Sequence, residues 1–175
     1  ELTAAISRSG LICEYVPEYA KELTWDTLSG DDEIATAARS ALGSSIEQQR
    51  IVHDEQMIRI DRPYGFVDAI DTDSPAIISW AYSSGAEAEL NEFHDYMLHE
   101  FMRHRNLNLL VRREVPYEQI GRNEDETTAK QKDDIMSEIL MNTCEPFATV
   151  GRGDVREIVK AVEAMAREDL TAYEA

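Results

Sequence analysis

Two clusters in the 175-residue chain have residue types and spacing suited to phosphate chemistry. The first is Asp71-Thr72-Asp73-Ser74-Pro75, at the end of the apolar run "FVDAI". The cluster can hold a magnesium ion, directly or through water, while Thr72 and Ser74 bond phosphate or water. Magnesium reaches nucleotides in this way, through one or two carboxylates plus phosphate oxygens. The same residues also fit a helix start, with Asp73-Ser74 as cap and Pro75 in the first turn. The second cluster is Arg112, Arg113 and Arg122, with Gly121, in "RREVPYEQIGR". Guanidinium groups on a loop suit closure over a transferring phosphoryl group. Ordinary solvated arginines would have the same pattern.

Other chemistries find less support. His94, His99 and His104 are spaced by five, which turns each about 140° from the last on a helix. They share no face, so they do not form a zinc site of the i, i+4 kind. His104 can pair with Glu100 one turn back. No G-x-S-x-G occurs, and the two cysteines, Cys13 and Cys144, make neither a C-x-x-C pair nor a disulfide framework. Isolated thiols fit a reducing, cytoplasmic setting. The tripeptide at 152–154, "RGD", is too short to carry weight.

The elements that must position these residues alternate. "LICEYV" (11–16), "FVDAIDT" (66–72), "LNLLV" (107–111) and "PFATV" (146–150) are short apolar runs of β character. Between them lie helical stretches. One starts at Pro17; another covers 33–61 and is broken or kinked at "GSS" (43–45); a strongly amphipathic one spans 86–105. A further helix ends near Asn142, and "DVREIVKAVEAMAREDL" closes the chain. Continuous apolar strands joined by helices predict an α/β fold with a parallel sheet covered on both faces. Residues 1–175 read as one domain with a lid insertion near 113–132. Ligands of such sheets bind at the carboxyl ends of the strands, where "EYVPEYA", "DTDSP", "RRE" and "GRGD" all fall.

Composition bounds the partners. The formal net charge is -18, and the basic residues are 13 Arg and 4 Lys. An acidic surface disfavours nucleic acid, which needs a positive field to displace counterions. No run approaches the roughly 20 apolar residues of a membrane span, and no signal peptide is visible. Oligomeric state is not encoded in any pattern of the chain.

Taken in order, the motifs resemble the P-loop kinase-like AAA domains akin to nicotinamide riboside kinase, common in bacteria and phages. An E-x-x-x-E-Y-A-K motif is carried by Glu14, Glu18, Tyr19, Ala20 and Lys21. A Q-x-x-R helix comes next in Gln56 and Arg59, with Arg62 beyond. V-D-x-x-x-T-D-S-P is matched by Val67, Asp68, Thr72, Asp73, Ser74 and Pro75. R-x-x-P-Y-x-x-x-G-R is matched by Arg113, Pro116, Tyr117, Gly121 and Arg122. The likeness runs over nearly the whole chain, and the ordered set is more specific than any one motif.

The resemblance implies a three-layer P-loop NTPase-like fold and ATP-dependent phosphoryl transfer to a nucleoside, nucleotide or similar small-molecule hydroxyl, with ATP and Mg2+ as cofactors. It implies Asp73 as magnesium ligand or base, Glu18 as the other base candidate, and Arg113 and Arg122 as lid arginines. Thr72, Ser74, Gln56 and Arg59 would contact phosphate or acceptor. The setting would be the cytoplasm of a bacterial or phage-infected cell. Asp71 departs from the family, which has an apolar residue there; it can face the sheet edge or bond a neighbouring strand. The phosphate loop G-x-x-x-x-G-K-[ST] does not occur in residues 1–175. Since "ELTAAISRSG" reads as the tail of the helix after that loop, the expectation is a chain truncated at its start. Two other functions stand beside the kinase: a nucleotide-binding or interaction module without turnover, and a phage kinase acting on modified bases in DNA.

Overall fold

A computed structural model describes residues 1–112, 114, 125–143 and 147–173, with the side chains of 152 and 169–173 outside the description. Among these residues the chain is mixed α/β, with eight α-helices and four short strands. Helix α1 (Leu2–Arg8) leads through Gly10, at φ +100°, into β1 (Cys13–Val16). Only glycine takes that backbone conformation without strain, so the helix stops where the strand must start. Helices α2 (Tyr19–Asp26), α3 (Asp32–Ala41) and α4 (Ile46–Asp61) precede β2 (Ala69–Thr72). Then come α5 (Ile78–Tyr82), α6 (Glu87–Phe101), β3 (Asn108–Val111), α7 (Glu126–Asn142), β4 (Phe147–Val150), a 3-10 turn (Arg152–Asp154) and α8 (Val155–Tyr173).

Local chemistry accounts for the boundaries. The break at "GSS" separates α3 from α4. There Ser45 caps α4, its Oγ accepting from Gln48 N–H at 3.3 Å, while Ser45 N–H donates to Gln48 Oε1 at 3.4 Å. Two orphan helix donors are satisfied reciprocally, so a new helix begins instead of the old one bending. Asp31 caps α3 by accepting from Glu33 N–H at 2.9 Å and Ile34 N–H at 3.2 Å. The acids of "SGDD" therefore sit where the helix dipole favours them.

The strands form two parallel pairs. β1 pairs with β2 in the register Cys13 to Ala69 through Val16 to Thr72, and β3 pairs with β4 from Asn108 to Phe147 through Val111 to Val150. Among the described residues each sheet has two strands, so they form two separate pairs where one parallel sheet was expected. Both pairings are parallel with helical crossovers, as the alternation predicts.

The β1–β2 pair meets helices on both faces. Side chains alternate along a strand. Val16 and Ile70 point into the main core with Met57 and Ile60 of α4, Ile77 and Ala81 near α5, Phe101 of α6 and Ile139 of α7. Asp71, one residue on from Ile70, faces the other way and accepts from Thr3 Oγ1 of α1 at 2.6 Å. This explains the acid inside the apolar run: Asp71 ties the sheet to a helix instead of bonding a neighbouring strand. A second, smaller cluster of Leu23, Ala38 and Val52 packs α2, α3 and α4 together.

Three details differ from the sequence-based expectations. Asp73-Ser74-Pro75 caps no helix: α5 begins at Ile78 with Ile77 at its N-cap, and the Ile78 N–H donates to Pro75 O at 2.9 Å. His104 faces Asp61, Nε2 to Oδ1 at 2.9 Å, whereas Glu100 is taken by Arg103 at 2.5 Å. The guanidinium reaches the carboxylate three residues back, while the end of α6 turns His104 toward the last turn of α4. Of the expected lid, 126–132 is the start of α7, capped by Asp125 accepting from Thr128 N–H at 2.8 Å; 113 and 115–124 lie outside the described residues.

Candidate functional site

β1 and β2 end side by side, at Val16 and Thr72. Their exits are therefore brought together: Pro17-Glu18-Tyr19 from the first strand, Asp73-Ser74-Pro75 from the second. Thr72 Oγ1 accepts from Ser74 N–H at 3.1 Å, a side-chain turn that closes the loop on itself. Ser74 is buried beneath it and Asp73 is left exposed.

The Asp73 carboxylate lies close enough to the Tyr15 phenol to act on its titration. Tyr15 lies opposite Asp71 in the ladder. Burial first, then the negative charge and hydrogen bond of Asp73, then Asp71 and Glu18, push the Tyr15 phenol up to about 12. Three carboxylates thus act on one phenol, and two of them, Asp73 and Glu18, are the acids expected to do catalysis. Glu18 holds the N-cap position of α2, and its side chain makes no cap hydrogen bond.

Gln56 and Arg59 of α4 meet the start of α2 rather than open solvent. Gln56 Oε1 accepts from Tyr19 N–H at 2.9 Å, one of the orphan donors at that helix start. Its Nε2 is buried and has no partner among the described residues. The Arg59 guanidinium lies 4.6 Å from the Tyr19 ring centroid. It bonds Glu22 Oε2 through Nη1 at 2.7 Å and Glu55 Oε1 through Nε at 3.0 Å. Those carboxylates hold it above the ordinary arginine range although burial pulls the other way. Arg59 is therefore fixed between two acids and an aromatic face, an arrangement to which a planar fork is suited.

An open cleft of about 520 Å³ runs along this seam. Glu14, Tyr15, Val16 and Pro17 form one wall, and Glu55, Arg59, Arg62 and Pro63 the other. Its size is in the range of small-molecule sites.

The structure thus brings Asp73, Glu18, Thr72, Ser74, Gln56 and Arg59 to one end of the β1–β2 pair. Arg113 and Arg122 lie outside the described residues. Arg112 sits elsewhere, beside β4, with Nη2 3.6 Å from Asp154 Oδ2. Among the described residues no three His, Cys, Asp or Glu side chains converge as a metal site. The histidines go separate ways: His94 stacks on Trp80 at 4.0 Å, and His104 meets Asp61 and Tyr64.

Sequence reasoning missed Tyr15, Glu22 and Glu55. The spacing of Glu55 and Arg59, i and i+4 on a helix, was a legible signal. Tyr15 carried none, because its link to Asp73 depends on which strands pair.

Comparison of the chain with protein-family models, curated proteins and solved structures returned no match. No helix among the described residues is long and apolar enough to cross a membrane.

Proposed function

We propose that this chain belongs to a P-loop kinase-like domain that transfers a phosphoryl group from ATP to a hydroxyl of a nucleoside, nucleotide or similar small molecule. The observation that carries the reading is the meeting of Asp73, Tyr15 and Glu18 at the carboxyl ends of paired parallel strands, beside an arginine-lined cleft. In this reading the two strand pairs belong to the one parallel sheet of a three-layer fold.

The residues have divided roles. Asp73 is exposed, so its carboxylate has spare acceptor capacity. It fits either a magnesium ion, which uses few protein ligands, or the proton of an acceptor hydroxyl. Bound magnesium would supply charge neutralisation between the phosphates. Glu18, near the same phenol, is the second base candidate. Thr72 holds the loop, and the Ser74 amide is already committed to it. Arg113 and Arg122 would neutralise charge on the moving phosphoryl group. Gln56 and Arg59 position the start of α2, and through it Glu18.

The test is phosphoryl transfer from ATP to a panel of nucleosides and nucleotides by the whole gene product, wild type and Asp73→Asn. The expected result is turnover in the wild type and a loss of about 100-fold or more in the variant, with an unchanged circular dichroism spectrum. Unchanged turnover in Asp73→Asn removes Asp73 from the mechanism. No ATP-dependent transfer or phosphate release by the wild type overturns the kinase and leaves a binding module.

A further inference from the structure

The two cleft arginines are not equivalent. Arg59 is neutralised by Glu22 and Glu55. Arg62, at the C-cap of α4, is exposed and has no carboxylate within ion-pair distance among the described residues. Across the cleft Glu14 is exposed and likewise unpaired among them. Among the described residues an unpaired cation and an unpaired anion thus line one open cleft of about 520 Å³. An exposed pair held apart gains little by itself, because water solvates each end. A ligand long enough to reach both would gain two charge-assisted contacts.

We infer that the cleft binds a small hydroxylated monoanion, its anionic group on Arg62 and its hydroxyl donors on Glu14. Arg59 is a positioning residue here, since its Nη1 and Nε are already committed to Glu22 and Glu55. A dianionic or polyanionic ligand is disfavoured, because one free guanidinium stands among three acids, Glu14, Glu55 and Glu22, on a chain of net charge -18. A ligand with one negative group and several hydroxyls matches this inventory, and donating hydroxyls suit a carboxylate that can only accept. Identification of this cleft as the acceptor subsite rests on the phosphoryl-transfer reading; the ligand chemistry rests on the cleft alone.

Binding can be measured without turnover, by calorimetry or by amide shifts in NMR spectra of the 175-residue chain. Three probes divide the recognition: ribonate carries one carboxylate and several hydroxyls, ribose only hydroxyls, acetate only the anion. The assignment expects ribonate to bind at least about tenfold more tightly than either of the others. Arg62→Gln should bring it down to the level of ribose, and Glu14→Gln to the level of acetate. Both sites are exposed, so the fold should hold, which circular dichroism checks. Arg8→Gln, at the opposite end of β1, should change nothing. Equal affinity for ribonate in wild type and Arg62→Gln, or no measurable binding of any probe, overturns the proposal. Binding as expected in a gene product that transfers no phosphoryl group would overturn the kinase and leave the cleft assignment standing.

Discussion

Removing the Asp73 carboxylate should change the titration of Tyr15, and this tests the site without any ligand. Tyr15 rises from an ordinary 10.0 to about 12. At about 1.36 kcal/mol per tenfold, the full conversion is a ceiling of ~2.7 kcal/mol. Tyr15 is 44% exposed, so solvent screening brings the contribution to stability down to ~1 kcal/mol. The sign is set by the direction. An acid whose folded pKa is raised favours the protonated form, so its contribution is complete below pH 10 and is lost as pH climbs from 10 toward 12. Burial, the largest cause, survives in Asp73→Asn, while the charge of Asp73 does not. The variant should therefore lower the Tyr15 value by about one unit, the scale of a single neighbouring charge. Labelling tyrosine at the ring carbon that bears the hydroxyl gives one NMR signal per tyrosine, with Tyr15→Phe for assignment and circular dichroism to confirm that the fold persists. A Tyr15 that titrates near 10 in the wild type, or near 12 in both proteins, would refute the contact from which the site is built.

Two further predictions concern the scaffold. Burial holds the His94 imidazole below its ordinary 6.5, against Trp80 at 4.0 Å and with Nε2 3.2 Å from Ser83 Oγ. The neutral form is thus favoured in the fold, and its contribution, complete above pH 6.5, should be lost as pH falls. Melting temperatures from about pH 7.5 down to about 5 should fall less steeply in His94→Gln; parallel curves would show that this imidazole is not desolvated. Met97 of α6 is 0% exposed. Met97→Ala should cost about 2–5 kcal/mol in urea unfolding, and a loss under about 1 kcal/mol would mean that α6 is not packed as described.

How much was legible varied with the range of the physics. The break at "GSS" was readable because a capping box spans four residues and competes locally with helix continuation. The acids of "SGDD" were readable for the same reason. The role of Asp71 was not, since the choice between a neighbouring strand and α1 is made by Thr3, distant in sequence. His104 was misassigned because a residue at a frayed helix end is no longer bound by the i, i+4 rule. Asp73 was singled out as an acid at a strand end, and the structure leaves it exposed there; the helix-cap alternative fell only when α5 proved to start at Ile78.

The sequence by itself determined the alternation of strands and helices, the break at "GSS", and the set of polar residues at the strand exits. All of these are set by side-chain period, backbone preference and neighbours within a turn or two. Only the tertiary structure decided that β1 lies beside β2, which places Tyr15 and Glu18 with Asp73. It alone decided that Glu22 joins Glu55 on Arg59 while Arg62 and Glu14 stay unpaired among the described residues. Charge availability depends on distances between residues far apart in the chain. Those distances are fixed by which apolar faces are buried against each other, and not by the charges themselves.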